Sequence, residues 1–546
     1  MGRVVGALVG AVFFLWIAGT RSLDPGEIGW LMRYDWPIHF FGWHFFRVEP
    51  WHWPPGRILG YGVPAAPPSA SPIRSRSSPS RSSRSRRGCR PRSSIGPWLL
   101  LSFTLQGLAG AWLASRWTTR LDLQVTAAAI LVMMPVLLIR IGHPSLCAHW
   151  LLLWVLIVAS RDASTRFRAW EWALIGLIGG LLHPYLAVMT LGLLTGVAFT
   201  PAARPLAARA GGLAAATLAT VFGWWMSGLF AVSGAASMAT EGLGNYSMNL
   251  LAPIMPVGWS TFLPEIPLAT PGQAFEGFQY LGLGVLLLLV AAVGIRVAQR
   301  SDEGGSRRHA GFGVPLVATA LVMAVFALSP RVTAAGSVLV DVSGPWTAHF
   351  AVFRATGRFF WPLAYLALVW ALSVVILRLP PRVALSVLLA VAIVQAIDLH
   401  GAHQERRISA RDPEFYAWSD PMRDPAWTQV LAGYEHLVLY PPPQCGQAPM
   451  PFEPAAYHAG LQGLTINTGN AARPDEAARL AYCHALGDQL KAGQLADDTI
   501  YLVPPAEMDA IRHASGGSAV CGDVATVPVC ATRASVARWS TAAELR

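Results

Sequence analysis

Long apolar segments are the feature that most constrains how this chain folds. Only 13% of its 546 residues are charged, against about 25% in an ordinary soluble protein, and its mean hydropathy is +0.43. A helix needs about 20 apolar residues to cross a bilayer. We count eleven such segments, at 4–19, 97–116, 122–141, 145–160, 170–182, 184–200, 211–232, 279–297, 312–328, 359–377 and 382–399. The sequence therefore predicts an all-α polytopic membrane protein over residues 1–400, in contact with a lipid bilayer.

The arginines between these segments predict how the chain is oriented. They fall at alternate ends of the segments, and in membrane proteins such residues favour the cytoplasmic side. The N-terminus is then cytoplasmic and the region after residue 400 is extracytoplasmic. The pair 170–182 and 184–200 is short, and His183-Pro184 separates its members. A hairpin, a broken helix and one kinked helix all fit this pair.

The net charge of +11 does not indicate a nucleic-acid partner. Eight arginines and no acid lie between Ser69 and Ser94, so most of the basicity belongs to one segment. We treat residues 62–95 as anomalous. One interpretation is a disordered basic linker, although basic residues are unusual on the predicted outer side. The other is a local frameshift, in which the codons of Ala66 to Ser77 encode GTSIGFTDSIPI in the neighbouring frame and Ile73 becomes an aspartate.

The composition changes after residue 400, where charges are dispersed. Strand-like runs at 436–440, 464–467 and 499–503 alternate with helical patterns, which predicts a small α/β domain over 401–546. Four cysteines lie there, and an extracytoplasmic location favours disulfides. We expect the pairs Cys445–Cys483 and Cys521–Cys530, because the spacing does not resemble a zinc site.

The first outer loop, at 20–62, holds the first group of candidate site residues. On a helix lying along the membrane surface, Asp35 and His39 share one face, and His44 and Arg47 share another. A desolvated Asp35 carboxylate can act as a general base, with His39 orienting it or supplying positive charge. His44 and Arg47 are candidate phosphate ligands. The alternative is an anchoring helix whose polar residues face water while its aromatic residues sit at the headgroups.

Further candidates fall on the same predicted outer face. Arg354 and Arg358 are four residues apart at the edge of a segment, where two guanidinium groups can bind a pyrophosphate or lipid phosphate. His143 and His183 lie at neighbouring turns and are candidate substrate ligands. The alternatives are snorkelling for the arginines and helix packing or capping for the histidines. The sequence contains no P-loop, GxSxG, HExxH or paired CxxC motif.

These features resemble the GT-C superfamily of glycosyltransferases, which includes protein O-mannosyltransferases and lipid A aminoarabinose transferases. The stretches that carry a closer resemblance are IGWLMRYDWPIHFFGWHFFRVEPWHWPPGRI, RIGHPSLCAHWLLLW, LLHPYLAVM and FRATGRFFWP. They are similar to an uncharacterised bacterial family of multi-pass proteins, which has a GTSIG-T-DSIPL stretch after its first loop. The frameshifted text of the anomalous segment reproduces that stretch.

The resemblance implies transfer of a sugar from a polyprenyl-phosphate donor to a cell-envelope glycan or lipid at the bacterial inner membrane. It implies Asp35 as the base or metal ligand, although the adjacent acidic pair usual in GT-C enzymes is absent because Trp36 follows. The chemistry is compatible with a divalent metal ion, but no ligand cluster in the sequence indicates one, and no other cofactor is expected. Non-enzymatic alternatives are a transporter, flippase or assembly factor for envelope polysaccharide, or a catalytically silent scaffold. The sequence does not predict an oligomeric state.

Overall fold

A computed structural model describes residues 1–56, 58–62, 92–161, 168–200, 205–231, 243–299, 312–469, 476–537 and 539. The described residues form two compact units. The first contains the described parts of Met1–Asp24, Ser94–Phe230 and Ala239–Asp412. The second contains those of Pro25–Ser93, Ala231–Met238 and Pro413–Arg546. Residues 63–91, which hold most of the anomalous arginine-serine segment, lie outside the described part.

Helices dominate the chain as far as residue 412. They are α1 (Gly2–Ala18), α2 (Trp36–Phe46), α3 (Ile95–Ala114), α4 (Leu121–Val132), α5 (Pro135–Leu138), α6 (Trp150–Ala159), α7 (Ala169–Leu182), α8 (Pro184–Phe199), α9 (Leu206–Met226), α10 (Leu283–Ala298), α11 (Val314–Ala327), α12 (Trp361–Arg378), α13 (Pro381–Asp398) and α14 (His400–Arg411). Between α11 and α12 lies an antiparallel hairpin of β1 (Arg331–Ala334) and β2 (Ser337–Asp341).

Each of the eleven apolar segments contains a helix, but the prediction of eleven membrane spans is not supported. Among the described residues, four helical stretches are long and apolar enough to cross a bilayer: Ile95–Ala114, Leu206–Met226, Thr356–Arg378 and Pro381–Asp398. A fifth is present if Leu121–Val132 and Pro135–Gly142, which meet at a bend of 52°, count as one span. The remaining apolar helices have 10–17 residues. Because a helix rises only about 1.5 Å per residue, each of these helices is shorter than the hydrocarbon core of a bilayer, which is about 30 Å thick.

Small residues allow close helix packing in the first unit. Gly176 and Gly180 of α7 face Thr220 of α9, whose hydroxyl donates to the Gly176 carbonyl at 3.1 Å. A Cβ atom built on Gly6 of α1 would lie 2.6 Å from the carbonyl oxygen of Gly107 in α3. Glycines spaced four residues apart let two helix backbones approach each other closely. This packing is common in membranes, where the hydrophobic effect does not drive helices together.

The second unit contains a small α/β fold, as the sequence predicts for the tail. After residue 412 its elements are α15 (Pro413–Tyr416), α16 (Ala426–Leu431), β3 (His436–Leu439), α17 (Phe452–Gln462), β4 (Thr465–Ile466), α18 (Glu476–Lys491), β5 (Thr499–Leu502), α19 (Pro505–Ala514), β6 (Ala519–Val524), β7 (Val527–Thr532) and α20 (Arg533–Val536). The strand order is β4-β3-β5-β7-β6. Strand β3 is parallel to β4 and β5, and β7 is antiparallel to β5 and β6.

Both expected disulfides are present in the second unit. Cys445 and Cys483 join the segment after β3 to α18, and Cys521 and Cys530 join the paired strands β6 and β7. Disulfides form in oxidising compartments, so this unit is consistent with an extracytoplasmic location.

From Pro25 onward the first outer loop belongs to this second unit, whereas the sequence places it in the membrane domain. Helix α2 packs on α17. Just after it, the Gly60 carbonyl accepts a hydrogen bond from the Ile466 amide of β4 at 2.9 Å. Trp36 and Phe40, predicted to sit at lipid headgroups, are buried inside this unit instead, although Trp43 remains exposed. The reason is that α17 and β4 supply an apolar partner surface from the far end of the chain.

Candidate functional site

A buried carboxylate held by two arginines lies at the centre of the candidate site in the first unit. Arg140 follows α5 at the end of the bent pair of helices, and its Nη1 lies 2.8 Å from Oε2 of Glu276. Arg358 precedes α12 and approaches the same carboxylate with two nitrogens. Its Nε donates to Oε2 at 2.7 Å, and its Nη2 donates to Oε1. The Arg140 side chain has no exposed surface, and that of Arg358 is 6% exposed.

The two guanidinium groups keep this carboxylate ionised. Burial alone raises the pKa of Glu276, but the charges of Arg140 and Arg358 outweigh it and lower the pKa to about 2. Two positive charges against one negative charge leave the trio with a net charge of +1. Glu276 is therefore not a general base at neutral pH, and the cluster suits an anion.

His143 and His183 lie beside this trio, so three of the predicted substrate ligands come together. Their rings are 5.5 Å apart between centroids. His183 caps α8 by accepting a hydrogen bond from the Tyr185 amide at 3.2 Å, and the Tyr185 ring lies 4.8 Å from the Arg358 guanidinium carbon. We call Arg140, Glu276, Arg358, His143, His183 and Tyr185 the arginine-histidine cluster.

The backbone between Arg354 and Arg358 is not the helical turn that their four-residue spacing implies. Arg358 is already bound to Glu276, and the chain between the two arginines is not an α-helix, because Ala355 has φ −92° and ψ 63°. The two side chains therefore lack the common face that a four-residue spacing implies. The Arg354 guanidinium lies 5.5 Å from the Tyr246 ring. Among the described residues it has no carboxylate within ion-pair distance.

The other predicted site residues lie in the second unit. Asp35 immediately precedes α2, and its side chain does not cap that helix. His39 lies one turn further on, and burial lowers its pKa to about 4. His39 is then neutral at pH 7, which leaves it able to orient a carboxylate but not to supply positive charge.

His44 is a packing residue in this structure. Its Nε2 donates to the Tyr457 carbonyl at 2.7 Å, and its Nδ1 accepts from Arg47 at 3.4 Å. The ring stacks between Phe40 and Tyr457, and burial lowers its pKa to about 3. Both ring nitrogens are used, so the structure gives His44 no free atom for a phosphate and directs Arg47 at least partly toward the histidine.

A mixed group of side chains in the second unit has the composition of a metal site. Glu435, His436 and Asp498 each offer one ligand atom, and these atoms lie within 4.8 Å of one another. The described part of the chain contains no other group of three or more such residues at this spacing.

Comparison with known proteins identifies the family. A family model described as "Domain of unknown function (DUF6311)" matches residues 7–70 and 89–400. The chain belongs to the DUF6311 family. The DUF6311 C-terminal domain matches residues 426–532, which are the sheet region of the second unit. No curated protein and no solved structure matches, and no glycosyltransferase family does. The unmatched residues 71–88 fall inside the arginine-serine segment.

The DUF6311 match spans two site residues that the sequence did not single out, Arg140 and Glu276. A signal for Arg140 was present, because an arginine within an apolar segment is costly and points to a role. Glu276 gave no comparable signal. Its partners lie 136 and 82 residues away along the chain, so only the tertiary structure brings them together.

Proposed function

We propose that this DUF6311 protein binds a polyprenyl-phosphate-linked sugar at the arginine-histidine cluster and transfers the sugar to a cell-envelope glycan or lipid. The observation that carries the proposal is the buried, positively charged trio beside two histidines, at the start of an apolar helix long enough to cross a bilayer. A phosphate attached to a long hydrocarbon chain fits both features, because its anion matches the positive charge and its lipid tail matches the apolar helix.

The side chains divide the work of binding. Glu276 fixes the guanidinium groups of Arg140 and Arg358, and the residual positive charge of the trio attracts the phosphate. Arg354, whose positive charge is not paired with a described carboxylate, supplies a direct contact. His143 and His183 donate to phosphate or sugar oxygens from the adjacent turns.

The transfer step needs a base as well as a phosphate site. The GT-C resemblance implies Asp35, which lies in the second unit, as the base, with His39 orienting it, and this role is proposed separately from the phosphate site. The base removes a proton from the acceptor hydroxyl, and the resulting oxygen bonds to the anomeric carbon. The bond between that carbon and the phosphate oxygen breaks, and polyprenyl phosphate leaves with the electron pair. In this proposal the protein lies in the bacterial inner membrane, with the N-terminus cytoplasmic and the tail periplasmic.

Binding tests the phosphate site separately from catalysis. Undecaprenyl phosphate is titrated into the full chain in lipid nanodiscs, for the wild type, Arg354→Gln and Arg331→Gln. Arg331 is the matched control, since it is an exposed arginine of β1 in the same interhelical region. Loss of one charged hydrogen bond, worth about 1.5–3 kcal/mol, predicts roughly 10- to 100-fold weaker binding for Arg354→Gln. Equal binding by Arg354→Gln and wild type contradicts the proposed site.

Turnover then separates the enzyme from the non-enzymatic alternatives. Radiolabelled sugar on polyprenyl phosphate is supplied with envelope glycan as acceptor, and the wild type is compared with Asp35→Asn. Transfer by wild type that is lost in Asp35→Asn, with undecaprenyl phosphate binding unchanged, supports the proposal. Binding without transfer by the wild type indicates a transporter, flippase or assembly factor.

A further inference from the structure

The starts of two parallel strands in the second unit bring an acid from each strand together. His436 of β3 is in register with Thr499 of β5. One residue earlier on each strand, the Glu435 amide donates to the Asp498 carbonyl at 2.8 Å. The next amide, of His436, donates to the same carbonyl at 3.1 Å. These bonds hold the backbones of Glu435 and Asp498 next to each other.

His436 contributes a nitrogen whose direction is set by a third strand. Its Nδ1 lies 2.6 Å from the hydroxyl oxygen of Thr465 in β4. When Nδ1–H donates to that hydroxyl, the lone pair of Nε2 is on the opposite side of the ring, where Oδ2 of Asp498 lies 3.8 Å away. A metal-binding histidine usually has its second nitrogen held in this way, because the hydrogen bond selects the tautomer and orients the ring.

We propose that Glu435, His436 and Asp498 bind a divalent cation of the Zn²⁺ type. Zinc takes histidine nitrogen and carboxylate oxygen at about 2.0–2.2 Å, which places ligand atoms roughly 3–4 Å apart. The ligand atoms here lie within 4.8 Å of one another, so small side-chain rotations bring them onto one ion. Two carboxylates and a neutral imidazole carry a charge of −2, which the cation neutralises.

The ligand set and its exposure indicate the kind of site. A nitrogen ligand favours Zn²⁺ over Mg²⁺ or Ca²⁺, which prefer oxygen alone. Three protein ligands leave one position of a tetrahedral ion for water, and the 52% exposure of the Asp498 side chain gives solvent access to it. Bound there, the ion would link the starts of β3 and β5, with β4 supporting the histidine. None of these three residues takes part in the proposed sugar transfer, so each proposal is tested separately from the other.

The test measures Zn²⁺ binding to the full-length protein in detergent after treatment with EDTA. We expect one Zn²⁺ per chain by isothermal titration calorimetry. His436→Gln and Asp498→Asn should each weaken binding at least tenfold. The matched control is His484→Gln, which removes an exposed histidine of α18 in the same unit and should leave the affinity unchanged. Circular dichroism of each variant verifies that the sheet is intact.

Two results overturn this proposal. One is the absence of stoichiometric Zn²⁺ binding by wild-type protein whose circular dichroism shows a folded sheet. The other is binding that His436→Gln leaves unchanged, or that His484→Gln weakens as much. A second measurement uses Co²⁺ in place of Zn²⁺. Its visible absorption reports a tetrahedral site with nitrogen and oxygen ligands, and this absorption should disappear in His436→Gln.

Discussion

At the scale of single residues, the buried His44 and the half-buried His39 are both uncharged at neutral pH. The pKa of His44 is about 3 and that of His39 is about 4, against 6.5 in an exposed histidine, and burial is the main cause of both shifts. The unfolded chain binds protons at these positions below pH 6.5, whereas the folded chain does not. The contribution of these two neutral histidines to the free energy of unfolding is therefore complete above pH 6.5 and is lost as the pH falls toward 4.

This difference predicts acid sensitivity of the second unit. Between pH 6.5 and 4, each of the two histidines should lower the free energy of unfolding by about 1.4 kcal/mol per pH unit. Hydrogen exchange of peptides from α2 and α17, measured across this range, reports the change. His44→Gln should reduce the pH dependence, and His484→Gln, in an exposed position, should not. A pH dependence that His44→Gln leaves intact would show that another group is responsible.

At the scale of elements, the contact between α7 and α9 depends on the absence of a side chain at Gly176. A Cβ atom there would lie 2.2 Å from the carbonyl oxygen of Ala216, which is backbone and cannot rotate away. In contrast, no atom of the described residues, apart from the backbone of α9 itself, would lie within 4 Å of a Cβ atom added to Gly211 of α9. Replacement by alanine therefore creates a steric clash at Gly176 but not at Gly211.

Gly176→Ala should separate α7 from α9 and destabilise the first unit by about 1–3 kcal/mol, the usual cost of overpacking. Gly211→Ala should be neutral or stabilising by up to about 1 kcal/mol, because alanine favours helix. Thermal unfolding of the full chain in detergent compares the two. Equal transition temperatures for both variants would mean that the helices do not pack through Gly176.

The sequence predicts the elements better than it predicts their lengths. Apolar runs give the positions of the apolar helices of the first unit, but hydropathy alone does not indicate where a helix begins. The segment predicted at 279–297 starts four residues before α10, which begins at Leu283 because Gly282 has φ +86° and interrupts the helical backbone. The candidate site follows the same pattern. Arg358 is visible in the sequence, whereas its partner Glu276 is identified only by contacts across 82 residues.

At the scale of the whole molecule, the two disulfides stabilise the second unit to different extents. Cys445 and Cys483 are 38 residues apart, and Cys521 and Cys530 are nine apart. A crosslink restricts the unfolded chain more when it closes a longer loop. The chain-entropy estimate is about 4 kcal/mol for the first bond and about 2.5 kcal/mol for the second.

Replacing both cysteines of a pair with serine should therefore cost more for Cys445 and Cys483 than for Cys521 and Cys530. Urea unfolding of the full chain, followed through hydrogen exchange of β3 and β5, measures both losses. The larger midpoint shift should belong to the first pair. A larger shift for the second pair would mean that native packing around the β6–β7 strands, rather than loop closure, determines the effect.

The contact of α2 with α17 also has a consequence during protein synthesis. His44 and the Tyr457 carbonyl that binds it are 413 residues apart. At about 5–20 residues per second, a ribosome needs roughly 20–80 s to make the chain between them. For that time the surface on which α2 packs has not yet been made, although the helices on either side are already being inserted. Until α17 has been synthesised, the apolar face of α2 therefore needs another partner, such as a chaperone or the lipid surface.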